Sequence, residues 1–448
     1  MNAVILETLQ NFTLDLYRPV FKRDLDLGEP AAPKAGNMVT VVTGMRRSGK
    51  TYRLFQVMDD LLNRGVSADS MLYFNFEDDR LDPVTPATGD QVIEAFYALH
   101  PASAKEGVYL FLDELQEMKD WGRWLRRVID TMKATIYVSG SSSKMLSSEF
   151  STELRGRSIE YIQYPLSFKE YVQFHRPDID AAAVALSTAD RVSTQRLFER
   201  YLKCGGFPAV QSLPEPQAVS VLQGYAQRVV ARDVVERHDV GKPQAATGFA
   251  RKVLRLNGRT LSLRKAENEL KSSGVSVGRA ALSDYLVYLE EAFLVLPVRE
   301  RMRAASGGAN TMVKAYAIDP GLARANAPAS ARDDGQSLED AVCVELHRRL
   351  GVQRSEAVSF GKTREHGYEI DFVVGDALFD EGLRLYQVTE SLNDARTHER
   401  ETRALWEGMR EYGLSSSTIV VGDGEEALLE KDGMAIRCVP AWKWFLQG

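Results

Sequence analysis

The sequence predicts an α/β protein in which a parallel sheet with helices on both faces is followed by a helical middle region and a second α/β domain. Three observations predict this organisation. Short apolar runs alternate with stretches of helical periodicity in the first half of the chain, residues 165–240 are mainly helical in pattern, and the last third returns to strands and helices.

Length and composition limit the classes of protein that fit. The chain has 448 residues, more than a single hydrophobic core usually organises, so two or three domains are expected. Its residues are 44% hydrophobic and 26% charged, as in ordinary globular proteins. The formal net charge of −6 argues against a nucleic-acid binder of overall basic charge. Three widely spaced cysteines without a CxxC pair indicate neither a disulfide framework nor a zinc site.

Two targeting features are missing from the pattern. The first residues lack the charged start, apolar core and small-residue cleavage site of a signal peptide. No window approaches the roughly 18 uninterrupted apolar residues that a membrane span needs. A cytoplasmic protein without membrane contact is therefore expected.

Five short runs in the first half are predicted as the strands of the parallel sheet. Each is rich in β-branched, aromatic or other apolar residues. The runs are residues 38–43, 71–76, 108–112, 134–139 and 158–164. Between them, Trp121, Trp124, Leu125 and Val128 recur at i, i+3, i+4 and i+7, the spacing of one apolar helix face. This alternation predicts strands joined by helices that cover both faces of the sheet.

The segment GMRRSGKT, residues 44–51, follows the first predicted strand and precedes a predicted helix. It matches the G-x-x-x-x-G-K-[ST] pattern of a P-loop, whose backbone N–H groups surround the β- and γ-phosphates of ATP. Lys50 would neutralise the phosphates, and the Thr51 hydroxyl would be a ligand of Mg²⁺. The predicted ATP-binding residues are Gly44, Met45, Arg46, Arg47, Ser48, Gly49, Lys50, Thr51 and Tyr52. The alternative is a glycine-rich loop without a ligand.

An acidic pair ends the third predicted strand, at Asp113 and Glu114. In this position Asp113 would hold Mg²⁺ through water, and Glu114 would polarise the attacking water as a general base. A strand that ends in acidic residues because it meets solvent is the alternative. The P-loop earlier in the chain favours the catalytic interpretation.

Hydroxyl and arginine residues follow the fourth predicted strand. Ser141 or Ser142 would orient the water or the γ-phosphate, or one of them caps the next helix. Arg155 and Arg157 precede the last strand, and one of them would reach the γ-phosphate of a neighbouring subunit as an arginine finger. A solvated surface arginine is the alternative. A finger acting in trans would require a homo-oligomer, which one chain does not reveal.

An ordered series of motifs resembles the archaeal-type ATPase branch of the AAA+ superfamily. The series comprises GMRRSGKT, NFED (75–78), LDELQ (112–116), SGSSS (139–143), LRGR (154–157), PLSFKEY (165–171) and GGFP (205–208). The resemblance implies a P-loop domain, a helical and winged-helix region, and a C-terminal domain similar to restriction endonucleases. It also implies that Gln116 lies near the γ-phosphate and that Asn75 and Glu77 support the site.

Four segments are predicted on this basis. They are a P-loop domain at 1–170, a helical extension or lid at 171–246, a winged-helix-like domain at 247–325 and a restriction-endonuclease-like domain at 326–448. In the third segment, helices precede two apolar strands that flank a turn at Gly307 and Gly308. Residues 251–265 carry six basic and no acidic side chains, which favours either DNA contact or a protein-interaction or packing role.

The last segment has the outline of a PD-(D/E)xK nuclease but lacks some of its chemistry. A helix with Glu339 precedes two strands that carry Asp371 and Gln387. Such nucleases need Asp followed by Glu-x-Lys, so that carboxylates hold Mg²⁺ and the lysine steadies the nucleophile. Here the tripeptide is Gln387-Val388-Thr389. A nuclease-like fold that has lost cleavage, and binds nucleic acid or a protein partner, is therefore expected.

The sequence as a whole predicts an AAA+-like ATPase that uses Mg²⁺ and couples ATP to movement of its other modules on a macromolecule, with DNA as one candidate. Two alternatives stay open. One is an ATP-gated interaction protein whose turnover is incidental, and the other is an active ATP-dependent nuclease.

Overall fold

A computed structural model describes most of the chain. The described residues are 2–141, 154, 156–181, 186–301, 312–328, 334–352, 356–376 and 382–447. Ser142, Ser143, Arg155 and the predicted turn at Gly307 and Gly308 lie outside them. The chain divides into two compact units, residues 1–164 with 291–293 and residues 165–290 with 294–448.

The first unit contains a five-stranded parallel sheet. Its strands are β1 (Val39–Thr43), β2 (Met71–Asn75), β3 (Val108–Asp113), β4 (Ala134–Gly140) and β5 (Ser158–Ile162). The sheet order is β2-β3-β4-β1-β5, and every pair is parallel. The five predicted strands and the parallel sheet are thus confirmed, with ends that differ by one or two residues.

Helices cover this sheet and bury its apolar side chains in two clusters. The helices are α1 (Ala3–Asn11), α2 (Lys50–Asn63), α3 (Pro86–Leu99), the short α4 (Ser103–Glu106) and α5 (Trp121–Thr131). One cluster joins Leu110 and Val138 to Trp124 of α5, and the other joins Phe111 to Leu54 of α2. Because neighbouring strand residues point to opposite faces, Leu110 and Phe111 show that both faces are buried.

Helices begin the second unit, as the pattern predicts. They are α6 (Phe168–His175), α7 (Thr188–Cys204) and α8 (Glu215–Val229), and a π-helical segment at Val230–Glu236 follows. Within the PLSFKEY motif, the Ser167 hydroxyl accepts a hydrogen bond from the Glu170 N–H at 3.1 Å, and the Glu170 carboxylate accepts one from the Ser167 N–H at 2.8 Å. This capping box fixes the start of α6.

The GGFP motif allows a close approach of two chain segments. The carbonyl of Gly206 accepts a hydrogen bond from the Leu166 N–H at 2.7 Å, and a Cβ on Gly206 would lie 2.2 Å from the Leu166 carbonyl oxygen. The Gly206 N–H donates to Asp319 Oδ2 at 2.6 Å, and Asp319 Oδ1 accepts the N–H of Leu322 at 2.9 Å. Asp319 therefore joins GGFP to the start of α12 (Pro320–Asn326).

Asp319 is fully buried, and this predicts a pH-dependent stability. Burial raises the pKa of Asp319 to about 6, although the N–H groups of Gly206 and Leu322 lower it. Between about pH 4 and pH 6 the folded carboxyl binds a proton that the unfolded one releases, so its stabilising contribution is lost as the pH rises through 6. A shift of about two units corresponds to about 3 kcal/mol.

We expect Asp319→Asn to remove this dependence. The free energy of unfolding of the wild type, relative to that of the variant, should fall by about 2 kcal/mol between pH 4 and pH 7, because the unfolded carboxyl is already partly ionised at pH 4. Urea titrations of both proteins at several pH values measure the difference. Parallel pH curves for the two proteins would contradict the assignment.

One mixed sheet of nine strands runs through the rest of the second unit. Its strands are β6 (Thr260–Leu261), β7 (Val295–Glu300), β8 (Val313–Ala317), β9 (Glu356–Lys362), β10 (Glu369–Asp376), β11 (Arg384–Ser391), β12 (Ser416–Asp423), β13 (Ala427–Lys431) and β14 (Met434–Pro440). The order is β13-β14-β12-β11-β10-β9-β7-β8-β6. The accompanying helices are α9 (Pro243–Leu256), α10 (Leu263–Ser272), α11 (Arg279–Glu291), α13 (Asp334–Leu350), α14 (Ala395–Tyr412) and α15 (Ala441–Leu446).

This sheet joins the two predicted C-terminal segments. Strand β7 pairs in parallel with β9 through Arg299 opposite Ser359 and Glu300 opposite Phe360. The predicted boundary at 325/326 therefore lies inside one compact unit, and the predicted boundary at 170/171 lies near the unit boundary at 164/165. In the part of the chain that the structure describes, no helix has the length and apolarity for a bilayer crossing. A cytoplasmic location stays a prediction of the sequence.

Candidate nucleotide-binding site

The loop between β1 and α2 has a backbone that glycine makes possible. Gly44 has φ 147° and Gly49 has φ 104°, and the non-glycine Arg47 has φ 69°. A Cβ on Gly44 would lie 2.3 Å from the Gln163 carbonyl oxygen, so a larger residue would displace one of the two segments. The loop leads directly into the first turn of α2, where the N–H groups favour an anion.

Lys50 lies in the first turn of α2 and is 4% exposed. Its Nζ is 3.2 Å from Glu114 Oε1 and donates a hydrogen bond to the Met45 carbonyl oxygen at 3.3 Å. A buried ammonium requires such partners, because its desolvation is costly. The structure therefore brings Lys50 together with the predicted general base.

Asp113, at the end of β3, accepts hydrogen bonds from three hydroxyl groups. The Thr51 hydroxyl donates to Oδ2 at 2.7 Å, and the Tyr73 hydroxyl donates to the same oxygen at 2.9 Å. The Ser139 hydroxyl donates to Oδ1. Asp113 is fully buried, and burial together with the adjacent Glu114 raises its pKa above the ordinary value of a carboxyl group. The two predicted metal ligands, Thr51 and Asp113, are thus in direct contact.

Glu114 has a left-handed backbone, with φ 50°, and its N–H donates to Ser139 Oγ at 3.1 Å. Burial would raise the pKa of Glu114, but the Lys50 and Arg46 cations outweigh burial and hold this pKa below its ordinary value. The Gln116 amide donates to Glu114 Oε2 at 2.6 Å and to Ser141 Oγ at 3.3 Å. An ionised carboxylate in a fixed orientation therefore faces the P-loop lysine.

Arg46 connects the P-loop to two further acidic residues. Its guanidinium forms ion pairs with Glu77 at 2.5 Å and with Glu117 at 3.3 Å. The Glu77 N–H donates to Asn75 Oδ1 at 2.8 Å, so the side chain of Asn75 orders the NFED turn. Glu77 thus contacts the P-loop through Arg46, and Asn75 makes a contact within the NFED turn. The support roles that the resemblance implied for them stay predictions.

Two buried polar atoms at this site have no hydrogen-bond partner within the described part of the chain, the Ser48 hydroxyl and Gln116 Oε1. Buried polar atoms usually have partners, and those that lack them mark places where water, an ion or a ligand binds. The donor set also fits Mg²⁺-ATP, because hydroxyl and carboxylate oxygens suit a hard cation and backbone N–H groups with a lysine suit phosphates.

The other predicted site residues have different positions. Ser141 is buried and lies within reach of Gln116, whereas Tyr52 is 49% exposed and has an edge-on contact with Tyr17. Arg157 precedes β5 and forms an ion pair with Asp130. Because the strands are parallel and the P-loop follows the end of β1, Arg157 lies at the opposite edge of the sheet from the P-loop of its own chain. Its role as a finger toward a neighbouring subunit stays a prediction.

Sequence reasoning missed the contacts of Tyr73 and Ser139 with Asp113. Both depend on strand order, because β3 lies between β2 and β4 and its neighbours are distant in the chain. The serine run at the end of β4 predicted a role for Ser141 or Ser142. It is Ser139, the first serine of the run, that contacts the Asp113 carboxylate. A prediction of sheet order would have been needed to find it.

A second predicted set, the nuclease remnant, lies in the second unit. Glu339 on α13, Asp371 on β10 and Gln387 on β11 line one cavity of 430 Å³. The Asp371 N–H donates to Gln387 Oε1 at 3.4 Å, and Asp371 Oδ2 accepts the Val388 N–H at 2.9 Å. Burial and the Glu339 carboxylate raise the pKa of Asp371 well above its ordinary value. The structure thus brings these three residues together.

Two family models match parts of this chain. Residues 36–172, the segment that holds the P-loop, Asp113 and Glu114, match the model of an AAA domain. Residues 195–333 match the model of a domain of unknown function.

Relatives and solved structures show wider similarity. An uncharacterized protein of Methanocaldococcus jannaschii is 29% identical over 98% of this chain and 94% of its own length. An uncharacterized protein of Haemophilus influenzae is 29% identical over 77% of this chain and 81% of its own. Among solved structures, a Walker-type ATPase of Pyrococcus abyssi is 13% identical with a TM-score of 0.43, over 64% of this chain and 90% of that one. The ORC1 protein of Aeropyrum pernix in complex with DNA is 14% identical with a TM-score of 0.32, over 72% and 90%.

Proposed function

We propose that this chain, whose residues 36–172 match the model of an AAA domain, binds Mg²⁺-ATP at the P-loop and hydrolyses it. One observation carries the proposal. The P-loop lysine and threonine contact the two acidic residues of β3, Lys50 with Glu114 and Thr51 with Asp113. A P-loop with a carboxylate pair at the same sheet edge is the arrangement that nucleotide hydrolysis needs.

Each residue has a defined part in the proposed reaction. The loop N–H groups and Lys50 would bind the phosphates. Thr51 would hold Mg²⁺ directly and Asp113 would hold it through water, and the ion would stabilise the negative charge that develops on the phosphate oxygens. Tyr73 and Ser139 orient Asp113, and Gln116 orients Glu114. Glu114 accepts the proton of the attacking water.

The contact between Lys50 and Glu114 suggests that phosphate binding activates the base. In this structure the ammonium lowers the pKa of Glu114, which makes the carboxylate a weak base. Phosphates that attract Lys50 would remove this influence, and the pKa of Glu114 would rise. Glu114 would then become a stronger base when the substrate is bound.

We further propose that hydrolysis drives movement on a macromolecule, for which DNA is the candidate. The second unit has the element order α9-β6-α10-α11-β7-β8, in which β8 pairs with both β6 and β7, and this supports a winged-helix-like segment. Arg251 and Arg255 are exposed and lie one turn apart on α9, and Arg259 is exposed just beyond it. These side chains would contact phosphates.

Steady-state ATPase activity with and without single- and double-stranded DNA tests both parts of the proposal. We expect Mg²⁺-dependent turnover that DNA stimulates, and loss of the stimulation, with basal turnover unchanged, in Arg255→Glu/Arg259→Glu. The matched control is Arg396→Glu/Lys431→Glu, which reverses two exposed charges elsewhere in the second unit. Equal stimulation of both double variants would rule out DNA contact at α9, and absence of turnover would rule out the ATPase.

We also propose that the nuclease-like region has lost cleavage. Gln387 and Thr389 occupy the positions where the pattern requires a carboxylate and a lysine, and the pKa of the remaining Asp371 is raised well above its ordinary value. A neutral amide is a poor ligand for Mg²⁺. The restriction-endonuclease-like outline is supported by the order α13-β9-β10-β11-α14-β12, in which β10 carries Asp371 and β11 carries Gln387. Cleavage with Mg²⁺ or Mn²⁺ that Asp371→Ala abolishes would overturn this assignment.

A further inference from the structure

The side chain of Lys314, on β8, lies among several carboxylates of the second unit. Its Nζ is 2.8 Å from Glu369 Oε1 and 3.4 Å from Glu339 Oε1. The side chain is only 6% exposed, and its ammonium lies 5.3 Å from the centre of the Phe360 ring. A lysine buried to this extent is rare unless acidic groups surround it.

The surroundings of Lys314 are strongly acidic. Asp371 is half-buried near Glu339, and the buried Glu401 adds a further negative charge beside it. Burial lowers the pKa of Lys314, but the charges of Glu339 and Asp371 outweigh burial and raise this pKa above the ordinary value of lysine. The ammonium is therefore charged at neutral pH. The Tyr316 hydroxyl also donates to Glu339 Oε1, at 2.6 Å.

Lys314 and the acidic residues Glu339, Glu369 and Asp371 are here called the Lys314 cluster. We propose that the Lys314 ammonium is the cation that these carboxylates bind, in the place of a divalent metal ion. The buried ammonium needs nearby negative charge, because an unpaired buried charge is strongly destabilising, and Glu339 and Glu369 supply it. The lysine ammonium is a compact point charge that suits this position.

The arrangement of oxygens supports a lysine in place of a metal. A metal site needs at least three acidic, histidine or cysteine side chains with their ligand atoms close together. Among the described residues, such atoms lie within 4.8 Å of one another in Glu365, His366 and Glu407, and in no group that includes Asp371. In the Lys314 cluster, Glu339 Oε1 instead accepts from both Lys314 and Tyr316. The acidic atoms are thus arranged around hydrogen-bond donors.

The lysine comes from a different part of the chain than the nuclease pattern predicts. Thr389 occupies the pattern's lysine position, and β8 supplies a lysine from outside the helix and strands that carry the acidic residues. Because β7 and β9 pair over only two residue positions, the ion pairs also fix β8 to α13 and β10 through side chains. The Lys314 cluster therefore has a structural role that requires no metal ion.

Mn²⁺ binding to the full-length chain without nucleotide tests the proposal, with electron paramagnetic resonance of free Mn²⁺ as the readout. The wild type and Asp371→Asn should take up equal amounts of Mn²⁺. Lys314→Met keeps most of the side-chain volume and removes the charge, so it should bind one additional Mn²⁺ per chain. We expect a dissociation constant on the order of 10⁻⁴ to 10⁻³ M, as in modest oxygen sites.

Two comparisons make the result specific. Lys314→Met/Asp371→Asn should lose the additional Mn²⁺ of Lys314→Met. Any Mn²⁺ bound at the P-loop does not affect this comparison, because the P-loop is the same in the two variants. Lys362→Met removes an exposed lysine of the neighbouring β9 and should bind no additional ion. Mn²⁺ should also raise the unfolding midpoint of Lys314→Met more than that of the wild type.

Opposite results would overturn the proposal. It fails if the wild type binds Mn²⁺ that Asp371→Asn loses, or if folded Lys314→Met binds no additional ion. If Lys314→Met does not fold, the comparison of the wild type with Asp371→Asn still decides. The inference does not depend on the proposed ATPase activity. A cleavage assay distinguishes it from the proposed loss of cleavage: a wild type that binds the metal at Asp371 but does not cleave DNA would overturn only the role of Lys314.

Discussion

Glu114→Gln is expected to lower the rate of ATP hydrolysis by roughly 10²- to 10⁴-fold, the usual contribution of a general base. The amide keeps the size of the side chain and its contact with Gln116, but it cannot accept the proton of the attacking water. Nucleotide affinity should increase, because Lys50 no longer has to leave an ion pair with Glu114 before it binds the phosphates.

Two measurements on the same protein separate chemistry from binding. Single-turnover hydrolysis reports the chemical step, and calorimetry with a non-hydrolysable ATP analogue reports affinity. Glu94→Gln, at an exposed position on α3, is the matched control and should change neither. Wild-type turnover in Glu114→Gln, or an affinity well below that of the wild type, would exclude the proposed role of Glu114.

Lys50→Ala is expected to lower ATP affinity by on the order of 10- to 100-fold, because it removes a charge-assisted hydrogen bond worth roughly 1.5–3 kcal/mol. Hydrolysis should fall further, since the lysine also neutralises the charge that develops on the phosphate oxygens. Without nucleotide, the variant should be less stable than the wild type by up to about 3 kcal/mol, because Glu114 stays buried without its nearest cation.

The double variant Lys50→Ala/Glu114→Gln tests this explanation of stability. It should recover most of the lost free energy of unfolding but none of the hydrolysis, because the unpaired charge is gone and the catalytic groups are still missing. Lys105→Ala, an exposed lysine of the first unit, is the control. Additive losses of stability in the double variant would show that the contact between Lys50 and Glu114 contributes nothing. ATP affinity equal to that of the wild type in Lys50→Ala would contradict the P-loop assignment.

Much of the first unit could be predicted because its signals are local. A buried strand of a parallel sheet is a short apolar run, and the P-loop is a contiguous motif between such a strand and a helix. The predicted runs at 38–43 and 108–112 became β1 and β3 for this reason. The chemistry expected of Lys50, Thr51, Asp113 and Glu114 also follows from residue type and position at a strand end.

Parts of the second unit were harder to predict. Strands β9, β12, β13 and β14 were not singled out, and the sheet that joins the hairpin β7-β8 to the C-terminal strands was not foreseen. Sheet pairing between segments far apart in the sequence depends on side-chain packing, which a local pattern does not contain. Lys314 illustrates this, since nothing next to it in the sequence indicates that it contacts Glu339 and Glu369.

The sequence by itself determined which groups are available: a P-loop with its lysine and threonine, a strand that ends in Asp113 and Glu114, and a nuclease-like pattern without its second carboxylate and its lysine. The tertiary structure decided which groups meet. Sheet order brought Tyr73 and Ser139 to Asp113, parallel strands put Arg157 at the opposite edge from the P-loop of its own chain, and β8 carried Lys314 to the acidic cluster. The physical reason is that residue type fixes charge and hydrogen-bonding capacity, whereas partners are chosen by non-local strand pairing and by the need of every buried charge for an opposite one.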